Sequence, residues 1–288
     1  MTLVLVVPMN PLAVFILAFL LWLSKGFYIR PLVERLSRRM DELVAYWTVV
    51  SIFDILLAVF VTLLCPAVYF VRWDFPVKAF LVLFALSVLS FLPSIDEFKR
   101  FLNPEAEEDR EMVESIKNSS LPRLAFLQVI SSALPEELSF RYVFLGLLSL
   151  WNPFAGLVAI SVFFGLSHRF SHSTWSWRKL LSATLGGLVF GLGYLYTRSL
   201  LVVMTVHWLD NLIPDLYIKY ERARKTIVVA VALSLLSPLV FWHQTAGLIS
   251  YLRGVFSLPG LLWGILIGFA MLGVIYAGIK AIRGRSGR

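Results

Sequence analysis

The chain is poor in charged residues and almost devoid of cysteine. Only 15% of its 288 residues are Asp, Glu, Lys or Arg, whereas soluble globular domains carry about 25%. Hydrophobic residues make up 59%. The single cysteine, Cys65, excludes an intrachain disulfide framework, a CxxC redox pair and a thiolate metal cluster. It lies in an apolar run beside Pro66, and we expect a buried, inert thiol. The composition predicts one integral membrane domain over residues 1–288.

The N-terminal residues lack the basic leading segment and the small-residue cleavage site of a signal peptide, so we expect the first apolar run to remain as a span. A transmembrane helix needs about 20 mostly apolar residues. Nine segments qualify: 4–24, 44–71, 79–95, 124–150, 153–167, 180–197, 199–215, 226–242 and 256–279. The predicted fold class is all-α, a polytopic transmembrane helical bundle of eight or nine spans. Eight result if the first segment, broken by Pro8 and Pro11, lies in the interface.

The basic residues are distributed unevenly between the two sides of this layout. With the N-terminus outside, 21 of the 26 Lys and Arg residues fall in segments predicted to be cytoplasmic and four in segments predicted to be outside. Arg141 lies inside a span. Such an excess is the positive-inside pattern of membrane proteins. It predicts a cytoplasmic C-terminus, and it accounts for the net charge of +8 without nucleic acid as a partner.

Three features between and along the spans carry further expectations. Residues 25–43 are basic and amphipathic and predict an interfacial helix on the anionic inner leaflet. The acid-rich residues 96–117 predict a cytoplasmic helical hairpin. Gly260, Gly264 and Gly268 form a small-residue stripe that favours packing within the chain over dimerisation. The oligomeric state stays open.

Ionisable residues interrupt the fourth apolar segment. Glu136 and Glu137 are adjacent, with Arg141 four residues after Glu137. A charged group in the hydrocarbon costs roughly 2.5–3.5 kcal/mol on insertion scales, so each is a candidate functional residue. Glu137 and Arg141 share a helix face and can pair, while Glu136 points about 100° away. Pro135 removes a backbone donor and is expected to kink the helix.

Other polar groups lie on the fifth and seventh spans. His168 ends the fifth span, and we expect Glu136 to lie deeper than His168 in the membrane. His207 and Asn211 share a face of the seventh. A carboxylate beside an imidazole can deprotonate a water, and a second imidazole with an amide can donate hydrogen bonds to an oxyanion. We therefore predict a hydrolytic site in which the Glu137–Arg141 pair holds Glu136 in place as the base.

Alternative interpretations stay open at this point. The Glu–Arg pair, a histidine at a helix end and an interhelical asparagine can each be purely structural. Glu136, His168 and His207 form a possible zinc-binding His₂Glu set, although the run from His168 to His172 (HRFSH) lacks the glutamate of HExxH. A non-catalytic transporter or immunity-type binding protein would also use intramembrane carboxylates, but the sequence has no evident inverted repeat.

Three motifs in order carry a resemblance to a known family. EELSFR from Glu136 to Arg141, FGLSH from Phe164 to His168 and HWLDN from His207 to Asn211 resemble the EExxxR, FxxxH and HxxxN motifs of the CPBP intramembrane proteases. This family includes type II CAAX prenyl endopeptidases and Abi proteins. The resemblance covers a catalytic core of about 121–215.

The resemblance implies a helical membrane fold with a conical cavity open to the cytoplasm. It implies a glutamate-dependent peptidase that needs no metal or other cofactor and cuts prenylated CAAX proteins or other membrane-bound peptides near the C-terminus. Glu136 and His168 would activate water, and His207 with Asn211 would form the oxyanion hole. Glu137 and Arg141 would organise the site.

Overall fold

The computed structural model describes residues 9–286 except 70, 103, 105, 106 and 173. Every regular element within this part of the chain is helical. The predicted beginning of the first span at residue 4, with Pro8, lies outside it. The α-helices are α1 Pro11–Leu36, α2 Glu42–Leu64, α3 Val77–Ser90, α4 Ile95–Leu102, α5 Glu107–Asn118, α6 Leu121–Gln128, α7 Leu134–Glu136, α8 Gly146–Ser149, α9 Pro153–Ser171, α10 Trp177–Thr197, α11 Leu200–Lys219, α12 Arg224–Ser234, α13 Ser237–Val240, α14 Trp242–Val255 and α15 Leu258–Ser286. Short 3₁₀ turns occupy Pro66–Val68, Leu92–Ser94 and Glu221–Ala223.

Seven helical segments of the described chain are long and apolar enough to cross a membrane: Pro11–Leu36, Glu42–Leu64, Val77–Glu97, Pro153–Ser171, Trp177–Thr197, Glu221–Val240 and Leu258–Lys280. The predicted spans 124–150 and 199–215 are not among them. Both are helical, but they carry the charged and polar side chains of two of the three motifs, EELSFR and HWLDN. Those side chains lower the mean hydropathy that identifies a span. A total of eight or nine spans stays a prediction.

Side-chain caps fix where many of the helices begin. A cap accepts a hydrogen bond from one of the first free backbone amides, which have no partner within the helix. Arg198, the single residue between the predicted spans 180–197 and 199–215, takes a left-handed conformation with φ 56° in the tight turn between α10 and α11. The capping residues are Asn10, Asp41, Ser120, Asn152, Ser176 and Ser199.

The basic segment after the first span does not form a separate interfacial helix. Helix α1 continues through Pro31 to Leu36, and α2 begins at Glu42. A proline inside a helix removes only one backbone donor, and packing can compensate for it. Ile29 is buried against Val49 and Val50 of α2, which ties this part of α1 to the bundle.

Helix α14 occupies a stretch that the span assignment treats as an outside loop. Thr245 and Leu248, one turn apart, are its buried residues, and Leu248 joins a hydrophobic cluster with Phe84 and Phe190.

The acid-rich segment does contain two helices in contact, α4 and α5, as the predicted hairpin requires. The cysteine is buried, as expected, with Cys65 2% exposed.

The centre of the bundle is α9, which packs against both α10 and α15. The glycine stripe of α15 lies on α9 within the chain, as predicted. A Cβ at Gly264 would come 2.6 Å from the Cβ of Val158 and 2.8 Å from the carbonyl oxygen of Ala155. Only a residue without a side chain allows the two helices to approach this closely.

Candidate active site

The segment from Leu121 to Ser149, here called the interrupted helix, is not a regular α-helix. Two π-helical stretches, Val129–Ala133 and Glu137–Leu145, flank the single turn that contains Pro135 and Glu136. The amide of Leu134 bonds to the carbonyl of Val129, five residues back. π-turns are rare and concentrate at functional sites. The expected disturbance at Pro135 is therefore present as two widened stretches of helix.

Proline leaves one carbonyl of this helix without its backbone donor. In the π pattern the carbonyl of Ile130 would accept from residue 135, but Pro135 has no N–H. The hydroxyl of Ser51 on α2 donates to that carbonyl instead, at 2.7 Å. Ser51 is buried, and an unpaired buried carbonyl is costly. Helix α2 therefore stabilises the widened turn immediately before the glutamate pair.

Glu137 and Arg141 form the buried pair that the sequence predicts. Nη1 of Arg141 lies 3.1 Å from Oε1 of Glu137, and the two side chains are 1% and 0% exposed. The approach is not aligned as a hydrogen bond, and the Arg141 nitrogens have no acceptor among the described residues. The guanidinium lies over the rings of Phe164, at 4.3 Å, and Phe190, at 5.2 Å. Cation–π contacts are strongest where water is excluded, so aromatic rings replace the missing acceptors.

His207 of α11 bridges the two glutamates. Its Nδ1 lies 2.7 Å from Oε1 of Glu137, and its Nε2 lies 3.7 Å from Oε2 of Glu136. Both carboxylates thus face the same imidazole, although a regular α-helix would turn the Glu136 side chain about 100° away from that of Glu137. Successive side chains diverge less where the helix has more residues per turn, as in a π-helix.

The two glutamates nevertheless differ sharply in exposure. The Glu136 side chain is 26% exposed, whereas that of Glu137 is fully buried. Glu137 is bound on one side by Arg141 and on the other by His207. Glu136 has only the longer contact with the imidazole. A carboxylate that is accessible and loosely held can meet a water or a substrate, and one that is buried and paired cannot.

Asn211 contacts the interrupted helix rather than the glutamates. Its Nδ2 donates to the Ser132 hydroxyl at 2.7 Å. On the same side of α11, Trp208 donates to the Ala125 carbonyl at 3.0 Å. These bonds fix α11 against the interrupted helix. An amide nitrogen has two hydrogens, so the bond to Ser132 leaves one donor of Asn211 unassigned.

His168 lies at the edge of this cluster. Its Nδ1 lies 2.7 Å from the Phe164 carbonyl oxygen. Because a carbonyl only accepts, Nδ1 must carry the hydrogen, and the neutral ring then leaves Nε2 as an acceptor. The ring stacks on Trp175 at a centroid distance of 5.0 Å. Among the described residues, no hydrogen bond or ion pair joins His168 to Glu136. Phe164 is in ring contact with both His168 and His207.

A second buried acid lies close to the site, and it belongs to none of the three sequence motifs. Asp54 of α2 is 1% exposed and accepts from the Ser139 hydroxyl at 2.8 Å. Nζ of Lys25 on α1 lies 3.8 Å from its other oxygen. Asp54 is 82 residues before Glu136 in the chain, and no motif spacing links them. The only available signal was an acid inside a predicted span.

Asp210 on α11, between His207 and Asn211, is likewise buried and accepts from Ser87 at 3.1 Å. The cluster therefore receives side chains from α1, α2, α3 and α10 as well as from the helices that carry the motifs.

Within the described residues, no group of three or more His, Cys, Asp or Glu side chains is arranged to hold a metal ion. In particular, Glu136 and His207 approach each other while His168 stays apart. Three cavities, of about 410, 590 and 440 Å³, lie elsewhere on the molecule, lined by none of the six predicted site residues. A conical opening towards the cytoplasm stays a prediction.

Residues 118–213 match the family model described as "Type II CAAX prenyl endopeptidase Rce1-like". This segment, a third of the chain, is therefore similar to the Rce1-like family. The match contains all three motifs and nearly coincides with the predicted core of 121–215. No curated protein and no solved structure gave a significant match.

The seven apolar helices and the match to the Rce1-like family together support a multi-pass integral membrane protein. At the level of the family, the match supports a CAAX-type intramembrane protease. The Rce1-like segment includes the interrupted helix, α9, α10 and most of α11, which are the elements that hold the glutamates and His207 together.

Proposed function

We propose that this protein is an intramembrane glutamic endopeptidase that hydrolyses a peptide bond near the C-terminus of a prenylated CAAX-type or other membrane-bound peptide. The observation that carries the proposal is the unequal pair of glutamates. Glu137 is buried between Arg141 and His207, and Glu136 is the partly exposed carboxylate beside the same imidazole. The site and the C-terminus would face the cytoplasm, in line with the distribution of basic residues.

Glu136 and His168 would activate the attacking water. A carboxylate takes the proton from water as the new C–O bond forms. His168 has a ring nitrogen free to accept once Nδ1 donates to the Phe164 carbonyl. Because no hydrogen bond or ion pair joins the two side chains among the described residues, water or the bound peptide would bridge them.

His207 and Asn211 would stabilise the oxyanion. The imidazole donates to Glu137 through Nδ1, so its Nε2 can donate to an oxyanion only when the ring is doubly protonated. Asn211 would contribute the amide hydrogen that Ser132 does not use. Glu137 and Arg141 act on His207 and not on the substrate, so they are positioning residues in this scheme.

The test uses the full chain in lipid vesicles with a prenylated peptide and the same peptide without the prenyl group. Glu136→Ala and His168→Ala should abolish cleavage while the protein still inserts. Glu34→Ala, which removes an exposed carboxylate on α1, should leave turnover unchanged. Normal turnover by either site variant would refute the assignment. Equal cleavage of both peptides would show that prenylation is not required.

Two rival functions predict different results with the same preparation. A zinc-dependent form of the peptidase would lose activity with a chelator and regain it on addition of zinc. A transporter would cleave neither peptide and would couple solute uptake to a proton gradient. We expect neither outcome, because the site residues cluster on one side of α11 and His168 does not join Glu136 and His207.

A further inference from the structure

A groove between the second half of α1 and the first half of α2 lies outside the Rce1-like segment. Its volume is about 590 Å³. Ile29 and Val49 form part of its buried floor, and Leu32 and Ile52 are exposed at its sides. From Tyr28 to Leu36 the groove extends about 12 Å along α1, at 1.5 Å per residue. The walls are thus apolar over the length of about two helical turns.

One end of the groove is strongly basic. Arg35, Arg38 and Arg39 line it there, and all three are exposed. Two nearby acids are engaged elsewhere, since Glu34 pairs with Arg30 at 3.2 Å and Asp41 pairs with Arg123 at 2.9 Å. Within the described residues, none of the three arginines forms an ion pair or a side-chain hydrogen bond.

We propose that this groove binds one anionic phospholipid. The phosphate would lie on Arg35, Arg38 and Arg39, and an acyl chain would follow the apolar walls towards Leu56. Arginine suits a phosphate because its planar fork donates two parallel hydrogen bonds. Basic residues next to an apolar surface at the membrane boundary are the usual determinants of anionic lipid recognition. The proposal is independent of the peptidase assignment.

The charge requirement is tested on the lipid-stripped full chain by native mass spectrometry. Phosphatidylglycerol and phosphatidylcholine with identical acyl chains are titrated separately. Wild type should retain one phosphatidylglycerol in preference to phosphatidylcholine. The triple variant Arg35→Gln, Arg38→Gln, Arg39→Gln should lose roughly a hundredfold in affinity, because each basic residue near anionic lipid contributes about fivefold.

A matched control removes the same charge elsewhere. Arg222→Gln, Lys225→Gln, Lys280→Gln should retain the lipid as wild type does. Equal loss in this control, equal retention of the two lipids by wild type, or full retention by the arginine triple variant would overturn the proposal. So would the finding that a second copy of the chain or another protein covers the groove.

The apolar part is tested at unchanged charge. Leu32→Trp with Ile52→Trp narrows the groove at two exposed positions and should lower phosphatidylglycerol retention. Soluble glycerol phosphate should not displace the lipid. Unchanged retention in this variant, or displacement by the soluble phosphate, would mean that the arginines bind phosphate without the groove, and would contradict the proposal. Melting temperatures of all variants check that they remain folded.

Discussion

Helix α15 lies against α9 through glycines, whereas α11 meets the interrupted helix through hydrogen bonds and charges. At the first contact Gly264 allows the α15 backbone to approach Val158 and Ala155. At the second, His207 and Asn211 join side chains of the facing helix. In a bilayer, helices associate by close packing and by polar contacts. The hydrophobic effect does not drive this association, because the lipid tails are as apolar as the side chains. This chain uses the two modes in different places, and the proposed active site lies at the polar one.

The largest effect on stability is expected at the polar contact. Arg141→Met leaves Glu137 as a buried charge without its cation, which typically costs about 3–5 kcal/mol. The measurement is the unfolding free energy of the full chain in detergent. Adding Glu137→Gln to Arg141→Met should recover part of the loss.

An exposed pair with the same spacing gives the control. Arg30 and Glu34 are also four residues apart, but their side chains are 83% and 63% exposed. Arg30→Met should change stability by less than about 1 kcal/mol, as exposed pairs contribute little. If Arg141→Met were as mild as Arg30→Met, the buried pair would not be organising the site.

A second prediction separates packing from catalysis within the polar contact. Asn211→Ala should lower kcat about 10²–10³-fold, as expected for an oxyanion donor. Ser132→Ala removes the hydrogen-bond partner of Asn211 but keeps the amide, and should lower kcat much less. Equal losses in the two variants would indicate that Asn211 acts only by joining the helices.

The steric contact should respond to a single methyl group. Gly264→Ala adds a Cβ 2.6 Å from that of Val158, and overpacking of this kind costs about 1–3 kcal/mol. At Gly273 on the same helix, such a Cβ would have no atom within 4 Å apart from its chain neighbours and the backbone of its own helix, so Gly273→Ala should be neutral or slightly stabilising. Thermal unfolding of both variants measures the difference, and equal melting temperatures would argue against the close approach of α15 and α9.

The smallest effect is expected at the exposed ion pair between Asp41 and Arg123. The hydrogen bond from Arg123 lowers the pKa of Asp41 below its ordinary value of 3.8. A lowered folded-state pKa contributes stability above pH 3.8 that disappears as the pH falls through the folded value. Asp41→Asn keeps an oxygen for the helix cap but loses the charge. Its melting temperature should be slightly below that of wild type at neutral pH and converge with it below pH 3.8. A gap that widened on acidification would contradict this sign.

Local spacing was sufficient to predict the features that lie within one helix or at one turn. The Glu137–Arg141 pair follows from four-residue spacing, and the packing of α15 follows from its glycine stripe. A turn at Arg198 follows from the predicted spans 180–197 and 199–215, which leave only this residue between them. In each case the relevant neighbours are close in sequence or form a simple periodic pattern.

Features that depend on distant parts of the chain were missed. Asp54 and Lys25 reach the site only because α1 and α2 pack against the interrupted helix. Pro135 indicated a disturbed helix, but the π geometry depends on Ser51 of α2 as well. The amphipathic segment that forms α14 is too polar for a span, so its hydropathy predicts a loop. The count of nine spans depends on the segments 124–150 and 199–215, and the polar site residues lower the mean hydropathy of these two segments.

The most direct test of the central claim compares Glu136→Gln with Glu137→Gln in single-turnover cleavage of a prenylated peptide, with the melting temperature of each variant. We predict that Glu136→Gln melts like wild type and cuts at least about 10³-fold more slowly, whereas Glu137→Gln loses melting temperature because Arg141 and His207 lose their charged partner. Cleavage by Glu136→Gln at the wild-type rate would contradict the assignment of Glu136 as the base.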